Sequence, residues 1–157
     1  MNPIHIDHAS ALEPMNRIPI NPKSEDVGTA GDRVSTMNNK IRVLIVDDDP
    51  MVRQVVSEMV RRLGCQTTAA EDALMALYHL NQNRYDVVIA DYDMPFIDGY
   101  ELADQIKEIY LGTKVIMMTG HGDTEVSDLL KNSSLVDGLL LKPFNIRAIK
   151  EKLESTL

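Results

Sequence analysis

The segment Ile41-Arg42-Val43-Leu44-Ile45-Val46-Asp47-Asp48-Asp49-Pro50 joins an apolar, branched run to three consecutive carboxylates and a proline. Its first six residues suit a strand in the interior of a sheet. Asp49 followed by Pro50 is typical of a helix start, because aspartate accepts hydrogen bonds from free N–H groups and proline suits the first helical position. The segment therefore predicts a strand over residues 41–46 and a helix from Pro50. Asp47 and Asp48 are left for another role.

The composition is that of one globular domain. The chain has 157 residues, of which 44% are hydrophobic, which is enough for one core and too many for general disorder. The net charge of −8 argues against a nucleic-acid surface. The apolar runs are far too short to span a membrane, and the N-terminus shows no secretory signal. We therefore expect a cytoplasmic protein that binds neither nucleic acid nor membrane.

Residues 1–39 differ in character from the remainder of the chain. Four of the seven prolines lie within the first 22 positions, and no apolar periodicity runs through this part. We predict a disordered N-terminal extension over residues 1–39 and a folded domain over residues 40–157.

The folded part alternates short apolar strands with amphipathic helices. The predicted strands cover residues 41–46, 66–69, 86–90, 115–118 and 139–141. The predicted core-facing stripes of the helices are Val52/Val55/Val56/Met59/Val60/Leu63, Leu74/Leu77/Leu80, Leu102/Ile106/Ile109, Val126/Leu129/Leu130 and Ile146/Ile149/Leu153. Continuously apolar strands are covered on both faces, so we predict an α/β fold with a doubly wound, five-stranded parallel sheet.

Polar residues follow the predicted strands at the edge where sites form in such sheets. Asp47 and Asp48 follow the first strand, Asp91 the third, Thr119 the fourth and Lys142 the fifth. A pair of carboxylates about 4 Å apart repels by roughly 1 kcal/mol in water and about 4 kcal/mol at an effective dielectric of 20. A cation offsets this repulsion, and an all-oxygen site rich in carboxylates suits Mg²⁺.

A carboxylate in such a site can act as a nucleophile toward phosphorus and form an acyl phosphate. An amine then neutralises the phosphoryl oxygens, and a hydroxyl donates a hydrogen bond to them. Asp91, Lys142 and Thr119 supply these three roles. The hypothesis from the residues alone is therefore phosphoryl transfer to Asp91.

Residues 40–157 resemble the receiver domain of two-component response regulators. The resemblance rests on IVDDDP at 45–50, DYDMPFIDG at 91–99, MMTG at 117–120 and LLLKPF at 139–144, in the order and spacing of the family. It implies a flavodoxin-like (βα)5 fold with strand order 2-1-3-4-5. It also implies that Asp91 accepts a phosphoryl group from a histidine kinase or a histidine phosphotransfer protein.

The resemblance also implies a role for each residue of the site. Asp48 and Asp91 would ligate Mg²⁺ together with the backbone carbonyl of Asp93, and Asp47 would act mainly through water. Thr119 and Lys142 would read the phosphorylated state. The domain would promote its own phosphorylation and its own dephosphorylation, the latter slowly, without being an enzyme in the usual sense. The peptide bond between Lys142 and Pro143 would be cis.

The readout of the signal is where the chain departs from the family pattern. Leu139 stands where relatives have an aromatic residue that turns inward. We therefore expect the loop at residues 120–123 to carry the signal, and an unknown downstream protein to bind the face formed by helix 4, strand 5 and helix 5. Because helix 5 ends with the chain, a stand-alone receiver is expected.

Two alternative functions belong to other classes. A Mg²⁺-dependent phosphatase or phosphotransferase of the haloacid dehalogenase type uses similar parts, and Asp91-Tyr92-Asp93 imitates its nucleophile motif. In that class the nucleophile strand comes first, whereas here Asp47 and Asp48 precede Asp91. The other alternative is an interaction module that does not need phosphate, and the complete set of site residues argues against it.

Overall fold

The computed structural model describes residues 40–157, so the predicted extension at residues 1–39 lies outside the described part. Five strands alternate with five helices. Their bounds are β1 Arg42–Val46, α1 Pro50–Arg62, β2 Gln66–Ala70, α2 Ala73–Gln82, β3 Val87–Asp91, α3 Gly99–Ile109, β4 Lys114–Thr119, α4 Glu125–Asn132, β5 Gly138–Leu141 and α5 Ile146–Thr156. Among residues 40–157, no helix has both the length and the apolar composition that a membrane crossing requires.

All strands are parallel and form one sheet with the order β2-β1-β3-β4-β5, as predicted. Strands β1 and β3 are therefore neighbours, and Val46 is in register with Ala90. On the other side of β3 lies β4, where Met118 is in register with Asp91. Strand β4 pairs in turn with β5, and Thr119 is in register with Leu141. This register brings the ends of four strands to one edge of the sheet.

The sheet separates two apolar layers. Alternate residues of β1 and β3 point to opposite faces, as the two-residue period of a strand requires. One layer packs α1 and α5 against the sheet, through residues such as Val56 and Ile149. The other packs α2, α3 and α4, through residues such as Leu80, Ile106 and Leu130. This is the doubly wound arrangement that the continuous apolar strands indicate.

Four residues of the predicted helix stripes are exposed instead of buried, which corrects the prediction for them. They are Val55, Leu74, Ile109 and Leu129. In α2 the buried face consists of Ala73, Ala76 and Leu80, whereas Leu74 is 67% exposed. Ala73, Ala76 and Leu80 follow the spacing of one helix face, and Leu74 lies outside that face.

Aspartates cap α1 and α3, the helices that follow β1 and β3 at the carboxyl edge of the sheet. Asp49 accepts hydrogen bonds from the N–H groups of Met51 at 2.8 Å and Val52 at 3.3 Å, and Pro50 is the first residue of α1. Asp98 and Glu101 form a capping box at the start of α3. The cap at Asp49 agrees with the sequence prediction.

Candidate functional site

Three carboxylates meet at the carboxyl edge of the sheet. Asp47 follows β1 and is buried, Asp48 is exposed, and Asp91 ends β3 and is only 5% exposed. One carboxylate oxygen of each residue lies within 4.8 Å of the others. The backbone N–H of Asp49 donates to Asp47 Oδ1 at 2.9 Å and holds that carboxylate in place. The crossover that makes β1 and β3 neighbours thus produces a cluster of like charges.

Lys142 supplies the positive charge at this edge. Its Nζ lies 2.8 Å from Asp91 Oδ1 and 3.5 Å from Asp47 Oδ2. The backbone N–H of Lys142 donates to the carbonyl of Thr119 at 2.8 Å, which continues the pairing of β4 with β5 up to the site. The bond to Pro143 is cis, as predicted.

Burial and charge act against each other on the ionisable groups. The pKa values of Asp47 and Asp91 are raised above the usual aspartate value because burial outweighs the nearby Lys142 ammonium. Burial alone would lower the pKa of Lys142, but its hydrogen bond to Asp91 and the charges of Asp91 and Asp47 raise it overall. The charge of the Lys142 ammonium is therefore not enough to offset the effect of burial on the pKa values of Asp47 and Asp91.

The donor set fits Mg²⁺. All three side chains of the cluster offer hard carboxylate oxygens, and the exposure of Asp48 leaves room for water ligands. Asp93 lies two residues beyond β3, and its side chain points to His121, with 3.2 Å between Oδ2 and Nε2. The Asp93 carboxylate is therefore directed toward the loop that follows β4.

Thr119 connects the site to the loop before α4. The residue is fully buried at the end of β4, and its hydroxyl accepts a hydrogen bond from the backbone N–H of His121 at 3.0 Å. The His121 ring contacts Tyr92 edge to face and pairs with Asp93. The loops that follow β3 and β4 therefore touch one another beside the acids.

Three features of the site were missed from the sequence. An Nη of Arg53 in α1 donates to the carbonyl of Asp47 at 2.6 Å. His121 pairs with Asp93 across the loops that follow β4 and β3. Gly99 leaves no room for a side chain, because an added Cβ would lie 2.2 Å from the carbonyl oxygen of Asp91. These contacts join residues of different elements, and no local pattern encodes them.

The chain is similar to receiver domains of known signalling proteins. The family model described as the response regulator receiver domain matches residues 43–154. Chemotaxis protein CheY-3 of Vibrio cholerae is 33% identical over 122 residues, which cover 75% of this chain and 92% of the relative. Sensor histidine kinase RcsC of Escherichia coli K12 is also 33% identical over 122 residues, but the matched part is only 13% of that kinase.

Solved structures give the same result. CheY4 of Vibrio cholerae superposes with a TM-score of 0.69 and 31% identity, over 75% of this chain and 99% of that one. Response regulator TrrA of Thermotoga maritima, solved in complex with Mg²⁺ and BeF, gives a TM-score of 0.65 and 32% identity, over 74% and 99% of the two chains.

Proposed function

Since this chain belongs to the response regulator receiver domain family, we propose that it accepts a phosphoryl group on Asp91 in a two-component phosphorelay. Receiver domains are phosphoacceptor signalling domains and not enzymes in the usual sense. The observation that carries the proposal is the position of the buried Asp91 carboxylate, with Lys142 Nζ at 2.8 Å and the acids Asp47 and Asp48 beside it. The phosphoryl donor is a histidine kinase or a histidine phosphotransfer protein.

In the transfer step a carboxylate oxygen of Asp91 attacks the phosphorus of a phosphohistidine. A P–O bond to Asp91 forms while the P–N bond to the imidazole breaks, and the imidazole nitrogen takes up a proton as it leaves. Lys142 stays within reach of Asp91 and pairs with a phosphoryl oxygen. The Thr119 hydroxyl, which accepts from His121 in the structure, turns to donate to another phosphoryl oxygen.

Mg²⁺ fits this proposal, and the residues that would hold it are Asp48, Asp91 and the backbone carbonyl of Asp93, with Asp47 acting through water. The bound ion would offset the charge of the acids and of the phosphoryl oxygens. The relative TrrA was solved in complex with Mg²⁺ and BeF, which supports Mg²⁺ as the ion.

The output of the proposed switch is a change in protein binding. The contact of the Thr119 hydroxyl with His121 links the phosphorylation site to the loop that enters α4. The adjacent face, formed by α4, β5 and α5, carries the partly exposed Leu141 of β5. We assign the downstream partner protein to this face.

Phosphorylation with acetyl phosphate and Mg²⁺, followed by intact-mass analysis, tests the proposal. We expect one added phosphoryl group on the native chain and none on Asp91→Asn. Asp104→Asn, which makes the same chemical change on the exposed side of α3, is the matched control and should be phosphorylated normally. Undiminished phosphorylation of Asp91→Asn would contradict the assignment, and rapid turnover of p-nitrophenyl phosphate would favour the haloacid dehalogenase alternative.

A further inference from the structure

Phe96 has an unusual backbone conformation at the tip of the loop between β3 and α3. Its φ is +69°, and it is the only non-glycine residue within 40–157 with a positive φ. The N–H of Ile97 donates to the carbonyl of Pro95 at 2.9 Å across it, which makes Phe96 the central residue of a three-residue turn. A turn of this kind with positive φ is rare and strained, and a bulky residue suits it poorly.

The neighbouring residues hold this turn in place. Met94 is buried, and its N–H donates to the carbonyl of Tyr92 at 3.2 Å. The N–H of Gly99 donates to the same carbonyl at 3.0 Å and closes the loop on its other side. The backbone on both sides of Phe96 is therefore held by hydrogen bonds.

The Phe96 side chain adds nothing to the core, because it is fully exposed. Glycine or asparagine would adopt the positive φ with less strain and would leave no apolar ring in water. The strained turn buries no apolar surface within this chain, so the strain indicates a contact with another molecule. An exposed aromatic ring on a rigid turn has the properties of an anchor for a protein partner, since aromatic residues dominate binding energy at interfaces.

The position of Phe96 indicates which partner this is. It lies five residues after Asp91, so the two Cα atoms are no more than about 18 Å apart. A protein interface of ordinary size covers about 800 Å² on each partner, which corresponds to a patch with a radius of about 16 Å. A patch of this size centred on Asp91 extends about as far as the turn, so a protein that brings a phosphohistidine to Asp91 comes within reach of the Phe96 ring. The downstream partner, assigned to the face of α4, β5 and α5, has no such requirement.

We propose that the Phe96 ring inserts into an apolar pocket of the histidine-containing protein that delivers the phosphoryl group. The inference rests on the proposed function, because it takes Asp91 as the phosphoacceptor. It adds a residue that determines how well a protein donor is recognised, as distinct from the residues that carry out the transfer.

The test compares a protein donor with a small donor. Radiolabelled, autophosphorylated histidine kinase cores are profiled against the native chain, and the kinase that transfers fastest becomes the probe. For Phe96→Asn we expect the ratio of the transfer rate from this kinase to the rate with acetyl phosphate to fall about tenfold. Phe96→Tyr keeps the ring and should keep most of the ratio.

Leu111→Asn is the matched control, since Leu111 is 86% exposed but lies in the turn before β4, at the opposite edge of the sheet. It should leave the ratio unchanged. An unchanged ratio in Phe96→Asn, or an equal fall in Leu111→Asn, would overturn the inference while leaving the phosphoacceptor assignment intact. It would also be overturned if no kinase labelled a native chain that acetyl phosphate labels. Failure of acetyl phosphate itself would count against the proposed function instead.

Discussion

At the scale of single residues, the site is a compromise between charge and burial. Asp47 and Asp91 are buried close to each other and to Asp48, with Lys142 as the cation in contact with them. Burial raises the pKa values of both buried acids, so keeping them ionised costs stability in the metal-free protein. A bound cation would relieve this cost.

The first prediction concerns Asp48→Asn. Removing one of the repelling charges should raise the melting temperature in EDTA by a few degrees and weaken Mg²⁺ binding, because a ligand is lost. Thermal unfolding with and without Mg²⁺ measures both effects. Asp49→Asn is the control, since it removes the same charge next to the cluster and asparagine caps a helix as well as aspartate does. A lower melting temperature in EDTA together with normal Mg²⁺ binding by Asp48→Asn would contradict the proposed site.

The second prediction concerns Gly99→Ala. The new Cβ would lie 2.2 Å from the carbonyl oxygen of Asp91 and 2.7 Å from the Met117 sulfur, so α3 or the end of β3 must move. We expect a loss of about 2–3 kcal/mol in the free energy of unfolding, measured in urea, and slower phosphorylation by acetyl phosphate. In the control Gly112→Ala the added Cβ meets nothing within 4 Å, so the change should stay within about 0.5 kcal/mol. Equal stabilities of the two variants would show that the close approach is unimportant.

At the scale of helices and strands, one carboxylate joins α3 and β4 to the loop before β5, far from the acidic cluster. Asp137 in the loop before β5 pairs with Lys107 of α3 at 2.5 Å and with Lys114 of β4 at 3.5 Å. It also accepts a hydrogen bond from the N–H of Val115 at 2.8 Å. Burial alone would raise the pKa of Asp137, but these partners lower it overall.

The third prediction follows from this lowered pKa. The contribution of Asp137 to stability is complete above its unfolded pKa of 3.8 and is lost as the pH falls through the lower folded pKa. Asp137→Asn should therefore cost about 1–2 kcal/mol at neutral pH, and its difference from the native chain should shrink below 3.8. Urea unfolding from about pH 7 to about pH 3 measures this difference. Asp104→Asn is the control on α3, and a difference for Asp137→Asn that does not vary with pH would refute the ionic role.

The fourth prediction concerns the switch between β4 and α4. Thr124, the N-cap of α4, makes no capping hydrogen bond through its side chain, and the preceding loop contains Gly120 and Gly122. Because the Thr119 hydroxyl contacts the N–H of His121, a change at the site reaches this loop first. With Mg²⁺ and beryllofluoride we expect altered hydrogen exchange over residues 119–131. Unchanged protection there, together with a change on the side of α1, would locate the switch elsewhere.

At the scale of the whole molecule, the parallel sheet explains how distant residues form one site. Asp91 and Lys142 are separated by 51 positions, yet their side chains are in contact. The crossover after β2 places β3 beside β1. Strands β4 and β5 follow in order, so the carboxyl edge of the sheet runs from β1 to β5. Every strand that contributes a site residue ends at the same edge, so the fold assembles the site without any local signal for its contacts.

The sequence by itself determined the alternation of strands and helices, the cap at Asp49, and the residues that reach the carboxyl edge. These depend on periodicities and end signals within a few residues of each other, which the order of side chains encodes directly. The strand order came from the family resemblance and is confirmed by the structure.

Only the tertiary structure decided which helix residues are buried and which charges pair. Leu74 is exposed while Ala76 is buried, because Ala76 lies on the face of α2 that packs into the core and Leu74 does not. The contacts of Asp137 with Lys107 and the close approach of Gly99 to Asp91 join different elements. Such contacts depend on the packing of many elements at once, and a local pattern contains no information about the spacing between them.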